Sequence, residues 1–289
     1  MISARLLPDG KRLHLQQGPI DLVIEAWGEM AEVRVAYRQA TAAFETVLSD
    51  LVAELPLLRT ALTDEQPAAR GPVARRMIEA CWPYRKDFIT PMAAVAGSVA
   101  DHILAAMLSG RTLAKAYVND GGDIAIHLAE GERLACGMVA NLHAPAIAGT
   151  IDLISAMPVR GIATSGAPTK GSGGRSFSFG IADAVTVLAR SGAAADAAAT
   201  IIANAVDLPG DARVRRVPAS ELDPDSDLGS RLVTVAVPAL EADDIKRALW
   251  AGLAVAEELR GRDLIHGAVL ALQGRFALAG AVAQDLLAA

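Results

Sequence analysis

Cysteine is nearly missing from this chain of 289 residues, which holds only Cys81 and Cys136. They lie far apart and in no Cys-x-x-Cys or Cys/His spacing, so neither a disulfide framework nor a zinc site is indicated. A reducing cytoplasm fits that usage. Positive charge is in short supply as well, with 27 Lys and Arg against 33 Asp and Glu, a net charge of -6 and a pI near 5.4. A broad nucleic-acid footprint needs clustered Lys and Arg, so no nucleic-acid partner is expected. Uninterrupted apolar runs of membrane-spanning length are absent, and Pro8, Asp9, Lys11 and Arg12 break the start before a signal core forms. The expectation is a soluble cytoplasmic protein with no membrane partner.

What is present is hydrophobic mass. Hydrophobic residues make up 52% of the chain and charged ones 21%, enough for a large core and for one domain over 1–289. Strands are expected at Arg12–Gln17 and Ile20–Trp27, where apolar and polar residues alternate between glycines. From Met30 to Leu62, Val33, Tyr37, Ala40, Phe44, Val47, Leu48 and Leu51 recur at three- and four-residue steps, the mark of a helix with one buried stripe. Pro56 kinks or ends it. Further helices are expected at Val73–Ala80, Met92–Leu108, Ala193–Val206 and Glu241–Leu259.

The middle reads as a meander of strands at Leu113–Asn119, Ile124–Leu128, Leu134–Val139, Thr150–Ser155 and Val159–Thr164. Ala184–Ala189, Leu232–Val237, Leu264–Gln273 and Arg275–Ala279 complete the set. Helices and strands mix without regular βαβ alternation, so the class is α+β, with helices packed on a largely antiparallel sheet.

Three polar segments can carry chemistry, and each has two readings. In Asn119-Asp120-Gly121-Gly122-Asp123, the glycines permit positive φ and close backbone approach, and the segment is either a plain hairpin or a ligand-facing turn. The run 161-GIATSGAPTKGSGGRS-176 has five glycines, hydroxyls, Lys170 and Arg175. It is either a mobile loop or an anion-binding concavity of backbone N–H groups. It is not a Walker loop, because Ala167 stands where that motif needs Lys.

Asp196 and Thr200 are four residues apart on one helix face. They are either a first-turn Asp with a buried Thr, or two oxygen ligands for a hard cation that takes its other ligands from water, a carbonyl or phosphate. Asp223, Asp225 and Asp227 imitate a calcium loop, but Leu228 and Thr234 occupy positions that need Gly and Glu, so solvated loop is expected. No Gly-x-Ser-x-Gly occurs, and the five histidines are scattered.

Together these segments resemble the flavin transferase (ApbE) family, which moves the FMN part of FAD onto a Thr or Ser of a target protein using Mg2+. The resemblance covers about Pro91 to Ala205. It rests on Gly97 and Asp101, Asn119 with Gly121-Gly122-Asp123-Ile124, Ala163-Thr164-Ser165-Gly166, Gly174-Arg175, Val185 to Val187, and Ala195 to Thr200. It implies an ApbE-like fold and a cofactor site formed by Asn119, Gly121, Gly122, Asp123, Thr164, Ser165, Gly166 and Arg175. It further implies Mg2+ held by Asp196, Thr200 and a carbonyl near Val95, with FAD or FMN as the ligand and pairing with a second copy.

Two positions depart from the family. Ala96 stands where members have Lys, and Phe179 where they have His, so no catalytic residue is assigned. A non-catalytic flavin-binding protein, or an enzyme acting on a pterin or deazaflavin with Phe177 or Phe179 stacked on the ring, are the alternatives.

Overall fold

The computed structural model describes residues 2–139, 147–166 and 177–280. Its strands are β1 (Ser3–Leu6), β2 (Leu13–Gln17), β3 (Ile20–Gly28), β4 (Leu113–Asp120), β5 (Asp123–Leu128), β6 (Arg133–Val139), β7 (Ile147–Ile154), β8 (Gly161–Ser165), β9 (Ala184–Ala189), β10 (Arg215–Pro218), β11 (Leu232–Ala236), β12 (Gly267–Leu272) and β13 (Arg275–Ala279). The helices are α1 (Met30–Ala53), α2 (Leu55–Leu58), α3 (Pro72–Cys81), α4 (Val95–Leu108), α5 (Gly192–Ala205), α6 (Ala219–Leu222) and α7 (Ala242–Gly261). The class is α+β, as the sequence predicts. The chain divides into two compact units.

The first unit comprises Met1–Ala135, Asp152–Ala163 and Ala189–Ala197. Strands β1 to β5 form an antiparallel meander, in which Leu15 pairs Leu22, Ile24 pairs Val118 and Tyr117 pairs Ile126. The start of β8 continues it through Ile124–Ile162 and Ala125–Gly161 pairs. Helix α1 lays Ala36, Ala40, Phe44, Val47 and Leu51 into the core at three- and four-residue steps, as its periodicity predicts. Burying a side chain the size of Phe44 contributes about 1.5–3 kcal/mol, and Phe44 is fully buried.

Helix α1 stops at Ala53. Pro56, which lacks an N–H, sits in the first turn of α2 instead, where none is needed. Glu54, in the break, accepts the N–H groups of Arg70 and Gly71 at 2.7 Å each and so ties down the segment that leads into α3.

A short 3₁₀ turn, Pro91–Ala94, leads into α4. Pro91–Leu108 is long and apolar enough to cross a membrane by length and composition, with a mean hydropathy of 1.4 over 18 residues. Half of it is buried, and it packs on α1, α3, β4 and β5, as a core helix does. Small residues let it do so: Gly97, Ser98 and Ala100 are all buried.

The second unit comprises Cys136–Ile151, Thr164–Leu188 and Ala198–Ala289. Strand β12 pairs antiparallel with β9 on one side and with β13 on the other. Both β9 and β12 are buried at every position, in keeping with runs that are apolar apart from Thr186 in β9. Helix α7 packs on β12 and β13 through Ile245, Ala248, Leu249 and Gly252. A separate antiparallel pair joins β10 to β11. Sequence periodicity missed β1 and β10 because neither carries an apolar face: β1 is mostly exposed and β10 reads Arg-Arg-Val-Pro.

Candidate functional site

The hairpin reading of Asn119–Asp123 holds in full. Gly121 and Gly122 have φ of +64° and +115°, the left-handed backbone that a two-residue hairpin turn needs. Asp120 pairs with Asp123 across the turn, and Asn119 Oδ1 accepts the Gly122 N–H at 2.8 Å. The same turn also puts two carboxylates beside a third. Burial, and then the charges of Asp123 and Asp120, push the Asp196 carboxyl well above its ordinary range. Although part of Asp196 remains solvent-accessible, its carboxyl is packed round by protein, so desolvation dominates.

Two N–H groups oppose that shift. Gly97 donates to Asp196 Oδ2 at 3.0 Å, and Ala96 donates as well. Both belong to the first turn of α4, where backbone N–H groups lack helical partners and favour negative charge. Val95 opens the same helix. Its carbonyl is of the kind a helix engages in its own ladder.

The approach that allows these bonds depends on glycine. A Cβ on Gly97 would lie 2.3 Å from the Gly192 carbonyl oxygen, and one on Gly161 would lie 2.0 Å from the backbone of Ser191. Helix α4, strand β8 and the start of α5 therefore meet backbone to backbone. On the far side of this contact Asp101, buried in α4, accepts the N–H groups of Gly192 and Ala193 at 2.9 Å each.

Thr164, Ser165 and Gly166 belong to the second unit at the end of β8. There Thr164 Oγ1 lies 2.9 Å from Thr186 Oγ1, and Gly166 has a φ of +119°. Thr200 lies on α5, one helical turn after Asp196. Arg175, with Gly174 and Lys170, lies outside the described residues. Phe179 is held through its backbone: Asn204 Oδ1 accepts its N–H at 3.0 Å, and the Thr234 hydroxyl donates to its carbonyl at 3.1 Å. Phe177 is half-buried.

Asp223 and Asp225 lie in an exposed turn, where Asp225 N–H donates to Asp223 Oδ1. His14 bonds Asp21, and His127 lies 3.2 Å from the Leu113 carbonyl. A cavity of about 300 Å3 lies by α1, the start of α3 and His102, and none of the candidate residues lines it.

The side chains gathered here, Asp120, Asp123 and Asp196, are carboxylates, the oxygen ligands that a hard cation prefers. Among the described residues no three His, Cys, Asp or Glu side chains are grouped to hold a metal by themselves. A cation at Asp196 would therefore complete its shell from water or from a ligand's oxygens, which is the usual habit of Mg2+. Sequence reasoning missed Asp120 as a neighbour of Asp196 and Asp101 as a helix cap. One signal was available: 97-GSVAD-101 and 192-GAAAD-196 share the same Gly-x-x-x-Asp spacing.

An α+β protein with an acidic, oxygen-rich site at a glycine hairpin is the class that these features define. The family described as "AbpE bacteria" matches residues 4–278, and the chain belongs to it. Among curated relatives, a UPF0280 protein of Methanothermobacter thermautotrophicus is 35% identical over 153 residues, 52% of this chain and 56% of that one. A second, from Methanosphaerula palustris, is 34% identical over 184 residues, covering 63% and 70%. The chain thus spans little more than half the length of the first of these.

Among solved structures, a variant of the flavin transferase ApbE from Vibrio cholerae aligns over 98% of this chain and 97% of its own, with 14% identity and a TM-score of 0.49. The apo flavinyl transferase ApbE of Pseudomonas stutzeri aligns over 98% and 95%, with 12% identity and a TM-score of 0.44.

Proposed function

We propose that this protein binds a flavin nucleotide, FAD or FMN, or a similar ring cofactor bearing phosphates, together with Mg2+. The observation that carries the reading is the Asp196 carboxyl, enclosed by protein beside Asp123 and Asp120. Like charges gathered in a low-dielectric place call for protons or for a cation. Asp196 would hold Mg2+ with Thr200, and the Val95 carbonyl would share its helical bond with the ion. Asn119, Gly121, Gly122 and Asp123 would line the nucleotide. Thr164, Ser165, Gly166 and Arg175 enter through the sequence motif alone. Bound Mg2+ would supply charge neutralisation for a diphosphate.

Two outcomes are open to such a site: transfer or cleavage at the diphosphate, and binding without turnover. Ala96 and Phe179 favour the second, since Ala96 brings no cation and Phe179 cannot carry a proton. Incubation with FAD and Mg2+ decides between them. Release of AMP would reject binding without turnover, and intact FAD with a measurable affinity supports it. A chain with only two cysteines, far apart in sequence, accords with a cytoplasmic place of work. Pairing with a second copy is part of the same proposal, and sedimentation of the purified chain tests it.

A further inference from the structure

Helices α4 and α5 clasp each other by the same device twice. Each begins next to a glycine at the crossing, Gly97 in α4 and Gly192 in α5, and each carries an aspartate one turn further on. Asp101 of α4 accepts Gly192 N–H through Oδ1 and Ala193 N–H through Oδ2, both at 2.9 Å. Asp196 of α5 accepts Gly97 N–H at 3.0 Å and Ala96 N–H. Each carboxylate therefore caps the N-terminus of the other helix, over separations of 91 and 99 residues. The glycines are what make this reach possible, because a Cβ on Gly97 would strike the Gly192 carbonyl at 2.3 Å and one on Gly192 would come within 3.0 Å of the Gly97 carbonyl.

The two halves of the clasp differ in what lies beyond them. Asp101 is 8% exposed and surrounded by its partners at the start of α5, including the Ser191 hydroxyl. Asp196 faces Asp123 and Asp120. One half is closed and the other opens on the acidic hairpin.

We propose that Asp101 is a positioning residue for Asp196: by holding the first turn of α5 from α4, it sets where the Asp196 carboxylate presents its oxygens to a divalent cation. The inference rests on the reading of Asp196 as a cation ligand. Asp101→Asn keeps the shape but replaces one acceptor oxygen with an N–H2 group that faces a backbone donor, so at least one of the two bonds is lost. The first turn of α5 is then free to shift, and Asp196 shifts with it.

The test is Mn2+ titration of the full chain, with free Mn2+ read by electron paramagnetic resonance at a temperature where circular dichroism shows every variant folded. Asp101→Asn should weaken Mn2+ binding by about tenfold or more, the scale of residues that orient metal ligands. Glu54→Gln is the control: it disturbs another carboxylate that accepts two successive backbone N–H groups, those of Arg70 and Gly71 just before α3, and should lower stability while leaving the Mn2+ affinity at the wild-type value. Wild-type affinity in Asp101→Asn, or an equal loss in Glu54→Gln, overturns the positioning role while the cation reading stands. Failure of the wild-type chain to bind Mn2+ overturns both. Should Asp101→Asn not fold, Asp101→Glu, which moves the carboxylate by one methylene, is judged by the same criterion.

Discussion

Replacing Gly97 with alanine sets two effects against each other. In an ordinary helix the change adds about 1 kcal/mol of stability, because alanine loses less backbone freedom than glycine. At this position the new methyl would meet the Gly192 carbonyl oxygen at 2.3 Å, its carbon at 2.4 Å and Ala193 N at 2.7 Å. These are backbone atoms of a helix start, so they yield only if α5 moves. Overpacking of that kind costs about 1–3 kcal/mol. Movement of α5 also stretches the bonds from Gly97 to Asp196 and from Gly192 and Ala193 to Asp101, each charge-assisted bond contributing about 1.5–3 kcal/mol. Losing one of them and paying the overlap, less the propensity gain, gives a destabilisation of roughly 3 kcal/mol. Gly192→Ala should cost less, since its nearest contacts are 3.0 Å and 3.3 Å. Urea unfolding of both variants measures the difference. A Gly97→Ala protein as stable as the wild type, or a larger loss at Gly192, would refute the backbone contact.

Other expectations follow from single residues. Ser98 Oγ is buried without a hydrogen-bond partner among the described residues, so Ser98→Ala should be neutral or stabilising by about 1 kcal/mol in the same unfolding assay. A clear loss would contradict it. His102 is held below its ordinary 6.5 by burial and by Arg76, against the pull of Asp50. Its neutral form is favoured in the folded state, so its share of stability is complete above pH 6.5 and is lost as the pH falls toward the depressed value. Wild type should therefore lose more stability than His102→Gln between pH 7 and pH 5, and parallel curves would reject the assignment. Burial, followed by the Glu25 charge, pushes the Tyr117 phenol up to about 12. The difference in alkaline absorbance titration between wild type and Tyr117→Phe should show that midpoint, and an ordinary midpoint near 10 would count against it.

Periodicity in the sequence reveals those parts of the fold whose burial is local. The stripe of α1 is read directly from Ala40, Phe44, Val47 and Leu51, and β9 from its apolar run Ala184–Ala189. The Gly-Gly turn is legible because positive φ has few other solutions. By contrast, β1 and β10 draw their strand form from a paired neighbour rather than from their own side chains. The candidate site is half legible for a similar reason. Motif order led to Asp101, Asp123 and Asp196, whereas the nearness of Asp120 to Asp196 and the bonds from Asp101 to α5 come from contacts across the fold. Nor can composition distinguish a glycine that turns a chain from one that lets two helices touch, and Gly97 and Gly192 are of the second kind.

The account turns on whether the enclosed Asp196 carboxylate holds a divalent ion that a phosphate-bearing ligand shares. Calorimetric titration of FAD into the purified chain with Mg2+, and again with a chelator in place of Mg2+, measures this directly for wild type and Asp196→Asn. Binding should be present with Mg2+ and weaken by about tenfold or more on chelation or substitution. Equal FAD affinity in all four titrations would contradict the claim.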